Sequence, residues 1–247
     1  MKKIITVFSI SLMSFINPSS KITIWMIGDS TMAIKETKTY PETGWGMPFV
    51  YFFDSSVTIE NRSKNGRSTR SFIEEKLWQP VNENMKEGDY LFIQFGHNDE
   101  VITKKTYTAP DDFKKYLELY VQSAKAKKVI PVLITPVSRR NFDSAGNVKQ
   151  THPLYSDMVR TVAKEQQVIL IDLDEKSRAL YQQFGDKNSK LLFMQLDSLE
   201  HPNYPAGRND NTHFNELGAR KIAELVLAEI KKQIPDLSNR IVVRAVK

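Results

Sequence analysis

Residues 22–31 read ITIWMIGDST. The first six are apolar apart from one threonine and the run stops at Gly28, which is the pattern of a short buried strand followed by a turn. Similar runs occur at Val57–Ile59, Tyr90–Phe95, Val129–Thr135 and Val168–Asp172. Helical patterns separate them, over Gly46–Phe53, Phe72–Met85, Asp111–Lys127, Pro153–Gln166, Glu175–Phe184 and Asn215–Lys232. This alternation predicts an α/β fold, in which helices cover both faces of a parallel sheet.

The composition narrows the chemistry that the chain can support. Its 247 residues are 40% hydrophobic and 26% charged, which is typical of a globular protein and excludes a disordered or collagen-like chain. The absence of cysteine excludes disulfides, thiolate metal sites and lipid attachment through cysteine. With only four histidines and no His-Glu-x-x-His motif, we expect no metal site. Because no cysteine is available for lipid attachment, we also expect no membrane anchor.

The first 20 residues have the layout of a secretory signal. Lys2 and Lys3 precede an apolar stretch, Ile4–Ile16, which ends in the polar segment 17–20. We therefore expect residues 1–20 to be a signal peptide, residues 21–247 to form one domain, and the mature protein to be secreted or periplasmic. The alternative is that the apolar stretch is a buried first strand or helix.

The net charge of +6 falls to +4 if Lys2 and Lys3 are removed with the signal. The remaining basic residues are interleaved with acidic ones, which is typical of a solvated surface. The alternative is attraction to an acidic partner, such as a polysaccharide that contains uronic acid. Nucleic acid is not expected, because no groove-reading motif or basic stripe is present.

Several residues that carry chemistry follow the predicted strands. Ser30 follows the first strand, Gly66 the second and Asn98 the third, while Asp210 and His213 precede the last helix. Ligands of an open parallel sheet bind beyond the carboxyl ends of the strands, so we expect these residues to converge there. A serine nucleophile, a histidine base and an orienting aspartate are the parts needed for acyl transfer.

These motifs together resemble the SGNH (GDSL-type) hydrolases, whose four sequence blocks match Gly28-Asp29-Ser30, Gly66, Gly96-x-Asn98-Asp99 and Asp210-x-x-His213. Finer details resemble the rhamnogalacturonan acetylesterase branch, namely Gly28-Asp29-Ser30-Thr31, Gly44-Trp45-Gly46, Asn65-Gly66-Arg67-Ser68, Gln94-Phe95-Gly96-His97-Asn98-Asp99 and Asp210-Asn211-Thr212-His213-Phe214. The resemblance covers Ile22 to Ile230. It implies a three-layer α/β/α sandwich with a five-stranded parallel sheet, the flavodoxin-like SGNH hydrolase fold.

The resemblance also implies a role for each residue. Ser30 would be the nucleophile, His213 the general base and then acid, and Asp210 the group that orients His213. The backbone N–H groups of Ser30 and Gly66, with the side-chain amide of Asn98, would form the oxyanion hole. The α/β-hydrolase elbow G-x-S-x-G does not fit, because Met32 stands where its last glycine is required.

Four further residues are candidates for substrate contact, and each has a structural alternative. Trp45 would stack on a sugar or belong to the core, and His97 would contact substrate or fill the cleft. Arg67 would meet a uronate carboxylate or lie on a solvated loop, and His201 would line the cleft from the loop before Asp210.

We therefore expect a secreted serine esterase that deacetylates a plant cell-wall polysaccharide without a metal or cofactor. Rhamnogalacturonan, an acidic pectic polymer, is the favoured substrate, and the acetyl specificity rests on the resemblance. The alternatives are an SGNH esterase for acetylated xylan, a lipid or a thioester, and a polysaccharide-binding protein without activity.

Overall fold

A computed structural model describes residues 21–242, so the predicted signal peptide lies outside the described residues. Five parallel strands form the central sheet in the order β2-β1-β3-β4-β5. Their bounds are Ile22–Gly28 (β1), Val57–Asn61 (β2), Tyr90–Gln94 (β3), Ile130–Ile134 (β4) and Ile169–Ile171 (β5). The predicted five-stranded parallel sheet is confirmed, and each strand lies where its apolar run occurs.

Eight α-helices accompany the sheet within the described range. They are Gly46–Phe49 (α1), Thr69–Glu74 (α2), Trp78–Asn84 (α3), Pro110–Ala126 (α4), Pro153–Glu165 (α5), Leu173–Ser189 (α6), Glu216–Gln233 (α7) and Pro235–Ser238 (α8). Among residues 21–242, none of these helices has the length and apolar character required to cross a bilayer.

The core consists of two clusters, one on each face of the sheet. Successive side chains of a strand point to opposite faces. On β1, Ile24 and Met26 therefore pack in a cluster that includes Ile222 and Val226 of α7. Trp25 belongs to the other cluster, whose helical members come from α2, α3, α4 and α5. Helices on both sides of the sheet give the predicted three-layer α/β/α architecture.

The strand order reverses at β1, which lies between β2 and β3. In open α/β sheets, the crevice at such a reversal is where ligands bind, outside the carboxyl ends of the strands. Ser30 lies two residues beyond the end of β1, and Gln94 ends the neighbouring strand β3. The fold thus places the Gly28–Thr31 turn at the expected binding edge.

The structure differs from the sequence prediction in two elements near this edge. The predicted helix Phe72–Met85 is two helices, α2 and α3, separated by a turn in which Lys76 has a φ of +59°. The sequence predicts that Asp210 and His213 precede the last helix, but it predicts no strand around them. They lie on a strand, Arg208–Phe214 (β7), which pairs antiparallel with Phe193–Leu196 (β6). Helix α7 begins just after this strand.

Candidate active site

The turn after β1 presents Ser30 and buries its neighbours. Ser30 is partly exposed, whereas Asp29 and Thr31 are buried. Asp29 Oδ1 accepts hydrogen bonds from Thr31 N at 3.0 Å and Thr31 Oγ1 at 2.8 Å. Burial raises the pKa of Asp29 above its usual value, although the bonds from Thr31 act in the opposite direction. Asp29 therefore braces the turn, while the hydroxyl of Ser30 faces the cleft.

His213 links this turn to the β6–β7 hairpin. Its Nε2 lies 2.9 Å from Ser30 Oγ, and its Nδ1 lies 2.8 Å from Asp210 Oδ2. Asp210 Oδ1 accepts from the backbone N–H groups of Thr212 at 2.8 Å and His213 at 3.0 Å. The carboxylate is thus fixed by its own strand, with one oxygen held toward the imidazole. The structure brings Ser30, His213 and Asp210 together in one hydrogen-bonded chain.

A positive charge stabilises the ionised form of Asp210. Burial alone would raise the pKa of Asp210, but hydrogen bonds from His213 and Arg208 outweigh it and hold the pKa well below its usual range. Arg208 Nη2 donates to Asp210 Oδ2 at 2.8 Å. Asp210 therefore stays ionised at neutral pH, which is the state needed to orient an imidazole through its Nδ1–H. Sequence reasoning did not single out Arg208, because an arginine two residues before an aspartate has no distinguishing pattern.

Asn98 contacts the loop that follows β2 and carries Gly66. Asn98 is buried, and its Nδ2 donates to the carbonyl of Arg67, the residue after Gly66, at 3.0 Å. Lys104 Nζ donates to Asn98 Oδ1 at 2.8 Å, which fixes the orientation of the amide. Lys64 N donates to Gly28 O at 3.0 Å and ties the same loop to the end of β1. The φ of Gly66 is +78°, a conformation that a residue with a Cβ rarely adopts. An amide donor and a glycine loop are therefore held beside the Ser30 turn.

Comparison with known proteins decides the family. A sequence profile of the GDSL-like Lipase/Acylhydrolase family matches residues 26–221. The chain belongs to this family. The predicted resemblance to the SGNH (GDSL-type) hydrolases is confirmed, and so is the prediction that the chain is a carboxylic ester hydrolase.

Two curated relatives cover nearly all of this GDSL-family chain. The rhamnogalacturonan acetylesterase RhgT of Bacillus subtilis (strain 168) is 41% identical over 224 residues, which are 90% of this chain and 95% of the relative. The probable rhamnogalacturonan acetylesterase YesY of the same strain is 35% identical over 85% of this chain and 92% of its own length. Both alignments extend over most of this chain and most of the relative.

Solved structures show the same GDSL-family fold. The structure of protein YxiM from Bacillus subtilis matches with a TM-score of 0.75 and 27% identity over 87% of this chain, and the chain spans 58% of that protein's length. Axe2, an acetylxylan esterase from Geobacillus stearothermophilus, matches with a TM-score of 0.58 and 16% identity, over 85% of this chain and 94% of that one. The second likeness concerns the fold alone.

For two of the four candidate substrate contacts of this GDSL-family chain, the structure agrees with the structural alternative. Trp45 is 0% exposed, packs against Phe49 and donates from Nε1 to Gln94 Oε1 at 2.6 Å, so no face of its ring is open to a sugar. His97 is 3% exposed, and its Nε2 lies 2.9 Å from the carbonyl oxygen of Val137. Both residues belong to the buried layer behind the site.

The other two predicted contacts are accessible. Arg67 lies on the Gly66 loop and donates from Nε to Glu75 Oε2 at 2.8 Å, so it is already paired with a carboxylate. His201 lies in the β6–β7 loop, with its ring centroid 5.4 Å from that of Tyr40. That loop is fastened to the segment before α1, because Tyr204 Oη donates to Thr39 O at 2.8 Å. His201 therefore belongs to a rim beside the hairpin that carries His213.

Proposed function

We propose that this protein is a serine esterase that removes O-acetyl groups from a plant cell-wall polysaccharide, with rhamnogalacturonan as the favoured substrate. The observation that carries the proposal is the hydrogen-bonded chain from Ser30 Oγ to His213 Nε2 at 2.9 Å and from His213 Nδ1 to Asp210 Oδ2 at 2.8 Å. The names of the two curated relatives support the choice of polymer and acyl group.

In the first half of the proposed reaction, Ser30 Oγ attacks the acetyl carbonyl carbon while His213 Nε2 takes the hydroxyl proton. Asp210 accepts the Nδ1–H bond and stabilises the imidazolium that forms. The tetrahedral intermediate collapses, the bond from carbon to the sugar oxygen breaks, and His213 returns the proton to that oxygen. The products are a free sugar hydroxyl and an acetyl group on Ser30.

In the second half, His213 takes a proton from water, and the resulting hydroxide attacks the acetyl carbon. Collapse of this intermediate releases acetate and returns the proton to Ser30 Oγ. In both halves, the negative charge on the carbonyl oxygen would be held by the N–H groups of Ser30 and Gly66 and by Asn98 Nδ2. Asn98 is neutral, so it donates at any working pH.

We also propose that the enzyme acts outside the cytoplasm after removal of residues 1–20, because a polymeric substrate is found there and the segment has the composition of a signal. Expression in an export-competent bacterium, followed by N-terminal sequencing of the protein outside the cytoplasm, should give a start near Lys21. Recovery of the protein only inside the cell, beginning at Met1, would refute this assignment.

The catalytic proposal is tested by acetate release from acetylated rhamnogalacturonan by the wild type and by Ser30→Ala. We expect the variant to lose at least about 10³-fold in kcat, because its nucleophile is gone. Ser123→Ala is a matched control, since that hydroxyl donates to the Leu119 carbonyl on α4. Equal release by Ser30→Ala and the wild type would refute the role of Ser30.

The substrate is tested by the same assay on acetylated xylan and by aryl esters of increasing acyl length. Faster acetate release from rhamnogalacturonan than from xylan, with a preference for acetyl over longer chains, is the expected result. A preference for acyl chains of eight carbons or more would refute the acetylesterase. Binding of polysaccharide without turnover of any ester would indicate a non-catalytic protein.

A further inference from the structure

An open cavity of about 470 Å³ lies between the segment before α1 and the first turns of α7. Two of its lining residues contact the chain beside the candidate active site. Lys35 Nζ donates to the Oδ1 of Asn65, the residue before Gly66, at 2.9 Å. Thr43 N donates to the carbonyl of Phe214, the residue after His213, at 2.8 Å. The wall of the cavity therefore adjoins the chain on either side of the candidate active site, next to Gly66 and next to His213.

Two tyrosines give this cavity its exposed aromatic surface. Tyr51 is 71% exposed and Tyr40 is 44% exposed, and both line the cavity together with Met47 and Pro48. Exposure of an aromatic face to water is unfavourable, so its burial against a ligand stabilises the complex. The flat face of a pyranose ring covers such an aromatic face well. An aromatic surface beside polar groups is typical of a site that binds a carbohydrate and not of a site that binds a purely apolar ligand.

The charges of the cavity indicate which kind of sugar it would take. Its lining contains three carboxylates, Glu36, Glu42 and Glu216, and two cations, Lys35 and Arg220. Lys35 forms a buried ion pair with Glu42 at 2.7 Å, so its charge is already neutralised. Arg220 lies 3.5 Å from Glu224. The lining therefore offers a uronate carboxylate no surplus of positive charge. Glu36 Oε2 lies 2.7 Å from Lys38 Nζ, and Glu216 Oε2 accepts from Tyr40 Oη at 2.8 Å, so the second oxygen of each carboxylate is the acceptor for a sugar hydroxyl.

We infer that this cavity is a binding subsite for a neutral pyranose of the same polysaccharide, next to the sugar that carries the acetyl group. The inference rests on the proposed function. The ring of this sugar lies against Tyr51 and Tyr40, and its hydroxyls donate to the lining carboxylates. The subsite holds the polymer while the neighbouring acetyl group lies at Ser30, so it contributes to binding of the polymer and not to the chemistry of small esters.

The first test compares Tyr51→Ala with the wild type on acetylated rhamnogalacturonan and on 4-nitrophenyl acetate. Loss of an aromatic contact should lower kcat/KM on the polymer about fivefold to tenfold, mainly through KM, and leave the aryl ester unchanged. Leu217→Ala is the matched control, because Leu217 is 47% exposed on α7 but does not line the cavity. Its kinetics should equal those of the wild type on both substrates.

The outcomes separate the subsite from the proposed function. If the wild type hydrolyses 4-nitrophenyl acetate but no acetylated polysaccharide, the proposed function is refuted. If the wild type is active on the polymer and Tyr51→Ala equals it, the subsite alone is refuted. A parallel loss on both substrates would also refute the subsite, because it would show that Tyr51 supports the active site and not the polymer.

The second test addresses the sugar directly by saturation-transfer NMR with methyl rhamnoside and with galacturonate at equal concentration. We expect a stronger transfer signal from the neutral rhamnoside, and a loss of most of that signal in Tyr51→Ala. An equal or stronger signal from galacturonate that depends on Tyr51 would overturn the assignment of a neutral occupant.

Discussion

Gln94 connects two buried groups behind the nucleophile, and its replacement by leucine should destabilise the protein by about 1.5–4.5 kcal/mol. The side chain is 0% exposed, accepts from Trp45 Nε1 at 2.6 Å and donates from Nε2 to Thr31 Oγ1 at 2.7 Å. Leucine has a similar size but bonds to neither group. The Trp45 N–H would then be buried without an acceptor, which costs about 1–3 kcal/mol.

The loss at Thr31 should be smaller than the loss at Trp45. Thr31 Oγ1 still donates to Asp29 Oδ1 at 2.8 Å and so loses only the bond that it accepts, a contribution of about 0.5–1.5 kcal/mol. Addition of the two contributions gives the range stated above. If Trp45 is replaced by phenylalanine in the same protein, the unsatisfied N–H is removed. The double variant, with Gln94→Leu and Trp45→Phe together, should therefore lose less free energy of unfolding than the sum of the losses in the two single variants.

Urea unfolding followed by circular dichroism measures these differences. The matched control is Gln79→Leu, because Gln79 is exposed on α3 and bonds only to Glu83 Oε1 in that helix at 2.8 Å. We expect the control to lie within about 0.5 kcal/mol of the wild type. A loss below 1 kcal/mol for Gln94→Leu, or one equal to that of Gln79→Leu, would refute the reasoning.

Two further predictions concern the loop that carries Asn98. Asn98→Ala should lower kcat on 4-nitrophenyl acetate about 10²–10³-fold with little change in KM, because it removes one donor to the developing oxyanion. The control is Asn84→Ala on the exposed face of α3, which should leave kcat unchanged. An unchanged kcat in Asn98→Ala would contradict this role. Burial raises the pKa of Asp99 from 3.8 to about 7, although Thr69 donates two hydrogen bonds to it. Between these two pKa values, the carboxyl of Asp99 keeps its proton in the native protein but has released it in the unfolded chain. The contribution of Asp99 to stability is therefore complete below pH 4 and is lost as the pH rises toward 7. Urea unfolding from pH 4 to pH 8 should show a smaller decline for Asp99→Asn than for the wild type, and parallel profiles would contradict the assignment.

The sequence predicts the sheet well because its strands are short and, apart from the partly exposed β2, largely apolar on both faces. Each of the five runs is bounded by glycine or by polar residues, so its position is visible without tertiary information. Pro131, which cannot donate to a ladder, is tolerated in β4 because pairing with β5 begins only at Val132. The fold class and the edge at which Ser30 lies follow from these local signals.

The β6–β7 hairpin could not be predicted in this way. Strand β7 reads RNDNTHF and has neither alternating polarity nor a run of β-branched residues. Its extended backbone is set by pairing with β6, so the spacing of Asp210 and His213 was visible in the sequence but their strand was not. Burial of Trp45 and His97 is likewise decided by packing. A tryptophan between two glycines is compatible with burial in a core and with exposure on a surface, so the local sequence does not distinguish the two.

The two contacts of His213 span very different lengths of chain. Asp210 is three residues away along β7, whereas Ser30 is 183 residues away. A contact within a short segment forms with little loss of chain entropy, while one that closes nearly the whole domain forms only when the intervening elements are in place. During refolding from denaturant, recovery of ester hydrolysis would therefore report the completion of long-range assembly, and it would lag behind signals that follow helix formation alone.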